Sequence, residues 1–169
     1  MSEIVLMKNI IDDFLQHGEQ DYPFECCGFI LGHFIDEKSV GTEYIAIPNT
    51  KEENKERRFL IDPMAYQDAE DLADKKGLSI ISIVHSHPDH PDRPSEFDRK
   101  HAWPGFSYII MSIKRGTAAG YKSWILEQDR TKFIGEKITT IKEVNRAVSN
   151  PPPFHALIKL SKYIPLGMV

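Results

Sequence analysis

Apolar positions along the chain recur at two different spacings, one helical and one extended. Residues 5–16 place apolar side chains at the spacing of an amphipathic helix. Asp62 at a capping position, followed by Pro63, predicts the start of a second helix. Gly77 is typical of the residue that ends such a helix. The pattern therefore predicts two helices among extended segments.

The extended segments predict most of a sheet. Continuous apolar runs at residues 78–84 and 107–113 predict central strands that are buried on both faces. The other predicted strands span residues 26–35, 43–49, 58–62 and 119–129, the last of them more exposed. The order α-β-β-β-α-β-loop-β-β predicts a mixed α/β or α+β fold, in which helices flank a central mixed sheet.

Composition changes towards the C-terminus. Residues 149–153 read SNPPP, and three consecutive prolines favour an extended segment that no helix can cross. The residues after them are apolar and basic. We therefore expect one domain over residues 1–140 and a proline-interrupted appendage over residues 141–169. In the simplest interpretation the appendage forms a helix that covers an apolar groove of the domain. Alternatively, it is a docking segment for an activating enzyme or a contact with the protein itself.

The overall composition narrows the class of protein. The chain has 169 residues, of which 41% are hydrophobic, and a formal net charge of −4. These values suit one domain with a core and no nucleic-acid partner. Cys26 and Cys27 are adjacent and have no other partner, which fits a reducing compartment. Because no signal peptide or membrane span is recognisable, we expect a cytoplasmic protein.

A buried strand runs into the polar segment VHSHPDHPDRPSEFD at residues 84–98. His85 and His87 are two positions apart, so an extended backbone points both imidazoles to one side, where they suit a zinc ion. Asp98, on the first turn of a predicted helix, would add a carboxylate and leave a fourth position for water, as in catalytic zinc sites. Alternatively, Ser95 and Asp98 form a capping box on an ordinary surface loop.

A metal-dependent hydrolase also needs a carboxylate that moves protons. The chain has no HExxH helix, but Glu25 stands between apolar residues in PFECCGFILG, just before a predicted strand. In isolation this glutamate is most simply a charge at the edge of a strand. The residues alone therefore leave both an enzyme and a surface loop open.

The combined pattern resembles the JAMM (MPN+) metallopeptidases. HSHPDHPDRPSEFD fills every position of the signature H-x-H-P-x(5)-P-S-x-x-D, and PFECCGFILG resembles the upstream segment of that family. The resemblance covers roughly residues 3–137 and implies a cytidine-deaminase-like JAMM/MPN fold. It also implies the following roles: His85, His87 and Asp98 bind zinc, Glu25 is the general base and acid, and Ser95 stabilises the oxyanion.

The same resemblance implies a substrate class. Family members act on ubiquitin-like proteins and cut peptide or isopeptide bonds after a terminal Gly-Gly, whose extended tail would bind by strand addition. Only RKHAWPGF separates Asp98 from the next predicted strand, which favours the compact prokaryotic branch. We therefore expect a zinc-dependent metalloprotease that processes a sulfur-carrier protein. The alternatives are a deconjugating isopeptidase of a bacterial ubiquitin-like or antiviral pathway and a non-catalytic partner-binding module.

Overall fold

The computed structural model describes residues 2–142. Apart from its first two residues, the predicted appendage at 141–169 lies outside the described residues, and its boundary stays a prediction. Within residues 2–142, the chain forms seven strands and three helices. Their bounds are β1 Glu3–Met7, α1 Lys8–Asp21, β2 Cys27–Ile35, β3 Lys38–Ile47, α2 Pro63–Lys76, β4 Ser79–Pro88, α3 Glu96–His101, β5 Ser107–Lys114, β6 Thr117–Leu126 and β7 Phe133–Ile141.

The strands form one closed sheet in the order β1-β3-β2-β4-β5-β6-β7, and β7 returns to pair with β1. β4 runs parallel to β5, and β1 runs parallel to both β3 and β7. The remaining neighbours are antiparallel. Hydrophobic clusters form on both faces, one around α1 and one around α2. The mixed sheet with flanking helices confirms the predicted fold class.

Both faces of the sheet are densely packed. Phe14 of α1 is fully buried and makes edge-to-face contacts with Tyr44 and Tyr121, with ring centroids 6.2 and 5.5 Å apart. Cys26 and Cys27 are buried free thiols, one in each hydrophobic cluster. Alternation along β2 therefore separates the two adjacent cysteines.

The helix α2 begins and ends as its sequence predicts. The Asp62 side chain accepts hydrogen bonds from the amides of Met64 and Ala65, and Pro63 occupies the first turn. Gly77 ends the helix at φ 67°, a left-handed conformation that glycine adopts without steric cost. Among residues 2–142, no helix is both long and apolar enough to cross a membrane.

The prediction of a helix over residues 5–16 is wrong at its start. Residues 3–7 form β1, with Ile4 and Leu6 buried in alternation, and α1 begins only at Lys8. Five residues are too few to display a period of two clearly. Val5 and Leu6 also continue the apolar spacing of the helix, so the two elements merge in the sequence.

The predicted strand at 58–62 is also wrong. Phe59 and Ile61 are buried in alternation, as in a strand, but no ladder forms. The amide of Leu60 instead donates to the side-chain Oδ1 of Asn49 (3.1 Å), and its carbonyl accepts from the amide of Thr50 (3.0 Å). Alternating burial therefore reflects contact with the core and not pairing with another strand.

The closing strand β7 is missing from the sequence-based prediction. Only one of its nine residues is buried, and that residue, Glu136, is charged. The hydroxyls of Ser2 and Ser123 donate to the two carboxylate oxygens of Glu136, each at 2.6 Å. Because a charged residue holds the buried position, the usual alternation of inward apolar and outward polar residues does not reveal this strand.

Candidate active site

A bulge in β4 sets the face on which the histidines lie. Ile80 and Ser82 pair with successive residues of β2, so Ile81 is an extra residue in β4. Because side chains alternate along a strand, one extra residue moves all later side chains to the opposite face. His85 and His87 consequently point towards the face of the sheet that α2 covers.

Three donor atoms converge between β4 and α3. Nε2 of His85 lies 3.1 Å from Nε2 of His87. Oδ1 and Oδ2 of Asp98 lie 3.5 Å from Nε2 of His85 and of His87, respectively. Tetrahedral zinc, with ligand bonds of about 2.0–2.1 Å, separates its ligand atoms by about 3.3–3.4 Å. The two nitrogens and the carboxylate therefore fit this ion in both chemistry and spacing.

Each imidazole is oriented by a different contact. Nδ1 of His87 donates to the carbonyl of Pro91 (2.9 Å), so the neutral ring presents the lone pair of Nε2 to the metal position. His85 stacks on Phe59, with ring centroids 4.7 Å apart and planes at 28°. Within residues 2–142, the buried Nδ1 of His85 has no hydrogen-bond partner. Phe59 therefore positions this ring by packing.

Asp98 both caps a helix and faces the two histidines. The amide of Ser95 donates to Oδ2 of Asp98 (2.6 Å), and the amide of Asp98 donates to Oγ of Ser95 (3.1 Å). This is a complete capping box at the start of α3. The two interpretations of Ser95-x-x-Asp98 therefore do not compete, because the box orients the carboxylate towards the histidines.

The loop between β4 and α3 is tied to neighbouring strands. The hydroxyl of Ser112 donates to the carbonyl of His90 (2.7 Å), and Nε1 of Trp124 donates to the carbonyl of Asp92 (3.1 Å). Lys122 forms an ion pair with Asp92 at 3.1 Å. Sequence analysis missed these supports, since they come from β5 and β6 and no local pattern marks them.

Glu25 lies beside this group at the start of β2. Cys27 pairs with His85, and the amide of Ser86 donates to the carbonyl of Cys26. Glu25 precedes Cys26 by one residue and lies close enough to His87 for the two side chains to interact electrostatically. The side chain of Glu25 is only 5% exposed, and burial raises its pKa to about 8, with the charge of His87 opposing the rise.

The side chains of this site differ in their tendency to be charged. Burial lowers the pKa of His85 to about 4, which keeps this ring neutral at pH 7. Burial also acts to lower the pKa of His87, but its hydrogen bond to Asp98 and the charge of that carboxylate raise it above its ordinary value. Burial alone would raise the pKa of Asp98, yet the histidines and Ser95 hold it well below its usual range.

The sequence model of a protein family, the prokaryotic homologs of the JAB domain, matches residues 7–127 of this chain. The chain belongs to the prokaryotic JAB family. The matched range contains Glu25 and the three converging residues His85, His87 and Asp98, and it ends before β7.

Two curated relatives of this prokaryotic JAB chain differ in how much of their length it spans. The tail tip assembly protein K of Escherichia phage N15 is 34% identical over 94 residues, which are 56% of this chain and 34% of the phage protein. The chain thus spans about a third of that relative. A desampylase of Haloferax volcanii is 28% identical over 116 residues, 66% of this chain and 81% of the relative.

Solved structures show the same JAB architecture. A protein from Desulfitobacterium hafniense matches with a TM-score of 0.74 at 27% identity, covering 84% of this chain and 95% of that one. A Salinibacter ruber protein matches with a TM-score of 0.65 at 35% identity, covering 80% and 90%. A JAB1/MPN domain protein from Archaeoglobus fulgidus, at 19% identity and a TM-score of 0.50, covers 79% and 97% and shares the fold.

Proposed function

We propose that this chain is a zinc-dependent metallopeptidase that hydrolyses the bond after the C-terminal Gly-Gly of a ubiquitin-like protein, with a sulfur-carrier protein as its substrate. The observation that carries this proposal is the convergence of two imidazoles and one carboxylate beside a buried glutamate. The donor atoms of His85, His87 and Asp98 all lie within 4.8 Å of one another. Such a set of three protein ligands leaves room for a reacting group, as catalytic zinc sites do.

His85, His87 and Asp98 would hold the zinc ion. When bound, zinc supplies a Lewis acid that polarises the scissile carbonyl and makes a water molecule acidic enough to react near pH 7. The neutral imidazole of His85 and the carboxylate of Asp98 are in the protonation states that a metal ligand requires, and any proton on His87 would leave when the metal binds.

Glu25 would move the proton. Its carboxylate takes a proton from the attacking water and returns that proton to the leaving amine. A group whose pKa is close to the working pH performs both transfers well, and burial brings the pKa of Glu25 to about 8 in the metal-free protein. The nearness of Glu25 to His87 suits this role.

Ser95 would stabilise the oxyanion that develops on the attacked carbonyl. Oγ of Ser95 accepts a hydrogen bond from the amide of Asp98, so the hydroxyl proton remains available for donation. A single donor of this kind typically contributes a factor of about 10²–10³ to kcat.

The relatives support a ubiquitin-like substrate. The likeness to the Haloferax desampylase covers most of that protein, and family membership supports hydrolase chemistry at the same site. A compact connection from α3 to β5, residues 102–106, leaves no inserted element over the site. The sulfur-carrier substrate is the narrower part of the proposal.

Cleavage of matched substrates tests the proposal. The purified protein is incubated with a ubiquitin-like sulfur carrier that bears residues after Gly-Gly, and separately with the same carrier joined to a lysine side chain. Mass spectrometry locates the cut. Glu25→Gln serves as the inactive variant, and Glu53→Gln, an exposed position of the same chain, as its matched control.

The outcomes separate the candidate functions. Cleavage of the linear extension by wild type and Glu53→Gln, lost in Glu25→Gln and after chelation, supports the proposal. Cleavage of only the lysine-linked carrier would replace it with a deconjugating isopeptidase. If the zinc-loaded wild type cleaves neither substrate, the enzyme proposal fails in favour of a binding module.

A further inference from the structure

Glu25 is held in place by a segment that is far from it in the sequence. Residues 48–62 connect β3 to α2 without forming a helix or strand. The amide of Glu25 donates to the carbonyl of Lys55 (2.7 Å), and the carbonyl of Glu25 accepts from Nδ2 of Asn49 (2.8 Å). Both backbone polar groups of Glu25 are therefore bonded to this connecting segment.

The Asn49 side chain also holds the segment together. Nδ2 donates a second hydrogen bond to the carbonyl of Arg58 (3.0 Å). Oδ1 accepts from the amides of Lys51 (3.0 Å) and Leu60 (3.1 Å). An amide side chain offers two donated and at least two accepted bonds, and Asn49 makes all four. It thereby joins both ends of the segment to Glu25.

The same segment reaches the metal-binding side chains. Phe59, which stacks on His85, stands between Arg58 and Leu60, two of the residues that Asn49 bonds. The guanidinium of Arg58 lies over the ring of Phe97, 4.1 Å from its centroid, and Phe97 precedes Asp98. The Asn49 side chain thus holds the segment in contact with Glu25, β4 and α3.

We infer that Asn49 is a positioning residue for catalysis, which aligns Glu25 with the metal-binding group. This inference rests on the proposed function, because it assigns Asn49 an effect on the proton transfer made by Glu25. His87 and Asp98 are held independently of Asn49, by Pro91 and the capping box, and the backbone of His85 belongs to β4. Loss of Asn49 should therefore impair turnover without removing the metal.

Steady-state kinetics of Asn49→Ala and Asn49→Asp test the inference. Asn49→Asp keeps the acceptor Oδ1 but replaces the donor Nδ2 by an oxygen, so it removes both donated bonds and adds a negative charge. Thr50→Val is the matched control, since Oγ1 of Thr50 donates to the carbonyl of Leu60 (3.0 Å) within the same segment and does not touch Glu25. We expect kcat to fall about 10- to 100-fold in both Asn49 variants, with KM within about threefold of wild type and zinc content unchanged. Thr50→Val should retain wild-type kcat.

Amide hydrogen exchange gives a readout that needs no activity. In metal-free protein, the Asn49 variants should accelerate exchange of the Glu25 amide at least about tenfold, since its acceptor, the carbonyl of Lys55, lies between the parts of the segment that Asn49 joins. The amide of Ser86, which donates to Cys26, is the internal reference and should not change. A merely local role of Asn49 would affect the amides of Lys51 and Leu60 but not that of Glu25.

The results distinguish failure of this inference from failure of the proposed function. Unchanged kcat in Asn49→Ala and Asn49→Asp, or unchanged exchange at Glu25, would overturn the positioning role even if wild type is active. A parallel loss of zinc would also overturn it, since Asn49 would then act through the metal site. If wild type cleaves no substrate, the proposed function fails, and exchange still decides whether Asn49 holds Glu25.

Discussion

Replacing Glu25 by glutamine should stabilise the metal-free protein, and the gain should grow with pH. Burial raises the pKa of Glu25 from 4.5 to about 8. The folded protein therefore favours the protonated carboxyl. Its contribution to stability is fully present below pH 4.5, declines as the pH rises towards about 8, and stays lost above that value. Glutamine is neutral at every pH, so the variant avoids this decline.

The size of the effect follows from the two pKa values. Each pH unit between 4.5 and about 8 is equivalent to about 1.36 kcal/mol, which sets an upper limit of about 5 kcal/mol at pH 8. Entry of water beside the charged carboxylate reduces this limit. We expect Glu25→Gln to gain about 2–5 kcal/mol at pH 8 and nearly nothing at pH 4.5.

Urea unfolding of chelator-treated protein, followed by tryptophan fluorescence at several pH values, measures this difference. The exposed substitution Glu53→Gln is the control and should stay within about 0.5 kcal/mol of wild type throughout. A Glu25→Gln variant that is less stable than wild type at pH 8, or whose gain is the same at pH 4.5, would refute the reasoning. A stability gain at the expense of turnover is typical of a group buried for catalysis.

Two further substitutions test the capping box and the core. Ser95→Ala removes the acceptor for the Asp98 amide, so we expect the free energy of unfolding in urea to fall by about 1 kcal/mol and kcat to fall by a factor of about 10²–10³. Ser95→Thr should keep most of the stability and most of the activity. Wild-type kcat in the alanine variant would contradict the oxyanion role. Phe14→Ala empties a fully buried position and should lower the free energy of unfolding by about 3–5 kcal/mol. Phe34 is 39% exposed, so Phe34→Ala should lower it by less than about 1 kcal/mol. Equal losses in the two variants would contradict the described core.

The sequence predicts those features that depend on residues close together along the chain. The HxH spacing at the end of a strand and the Ser95-x-x-Asp98 helix start are short-range patterns, and the structure brings their side chains together. The cap of α2 at Asp62 and its end at Gly77 were also readable, because the residue types themselves satisfy the helix termini. In each case, neighbours within a few residues determine the conformation.

The rest depends on contacts between distant residues. β7 closes the sheet, but its polar and apolar residues do not alternate, and its buried position holds the charged Glu136. Phe59 alternates like a strand residue but packs on His85 without a ladder. Asn49 acquires its importance only when residues 50–60 fold back on it, so its sequence neighbourhood does not distinguish it from an ordinary turn residue.

Elemental analysis of bound metal tests the central claim most directly. Protein purified without added zinc is compared with Asp98→Asn, Glu25→Gln and the loop control Asp92→Asn, whose side chain pairs with Lys122. We predict close to one zinc per chain in wild type, Glu25→Gln and Asp92→Asn, and much less in Asp98→Asn. Wild-type protein that contains no zinc, even after reconstitution, would contradict a catalytic metal site built from His85, His87 and Asp98.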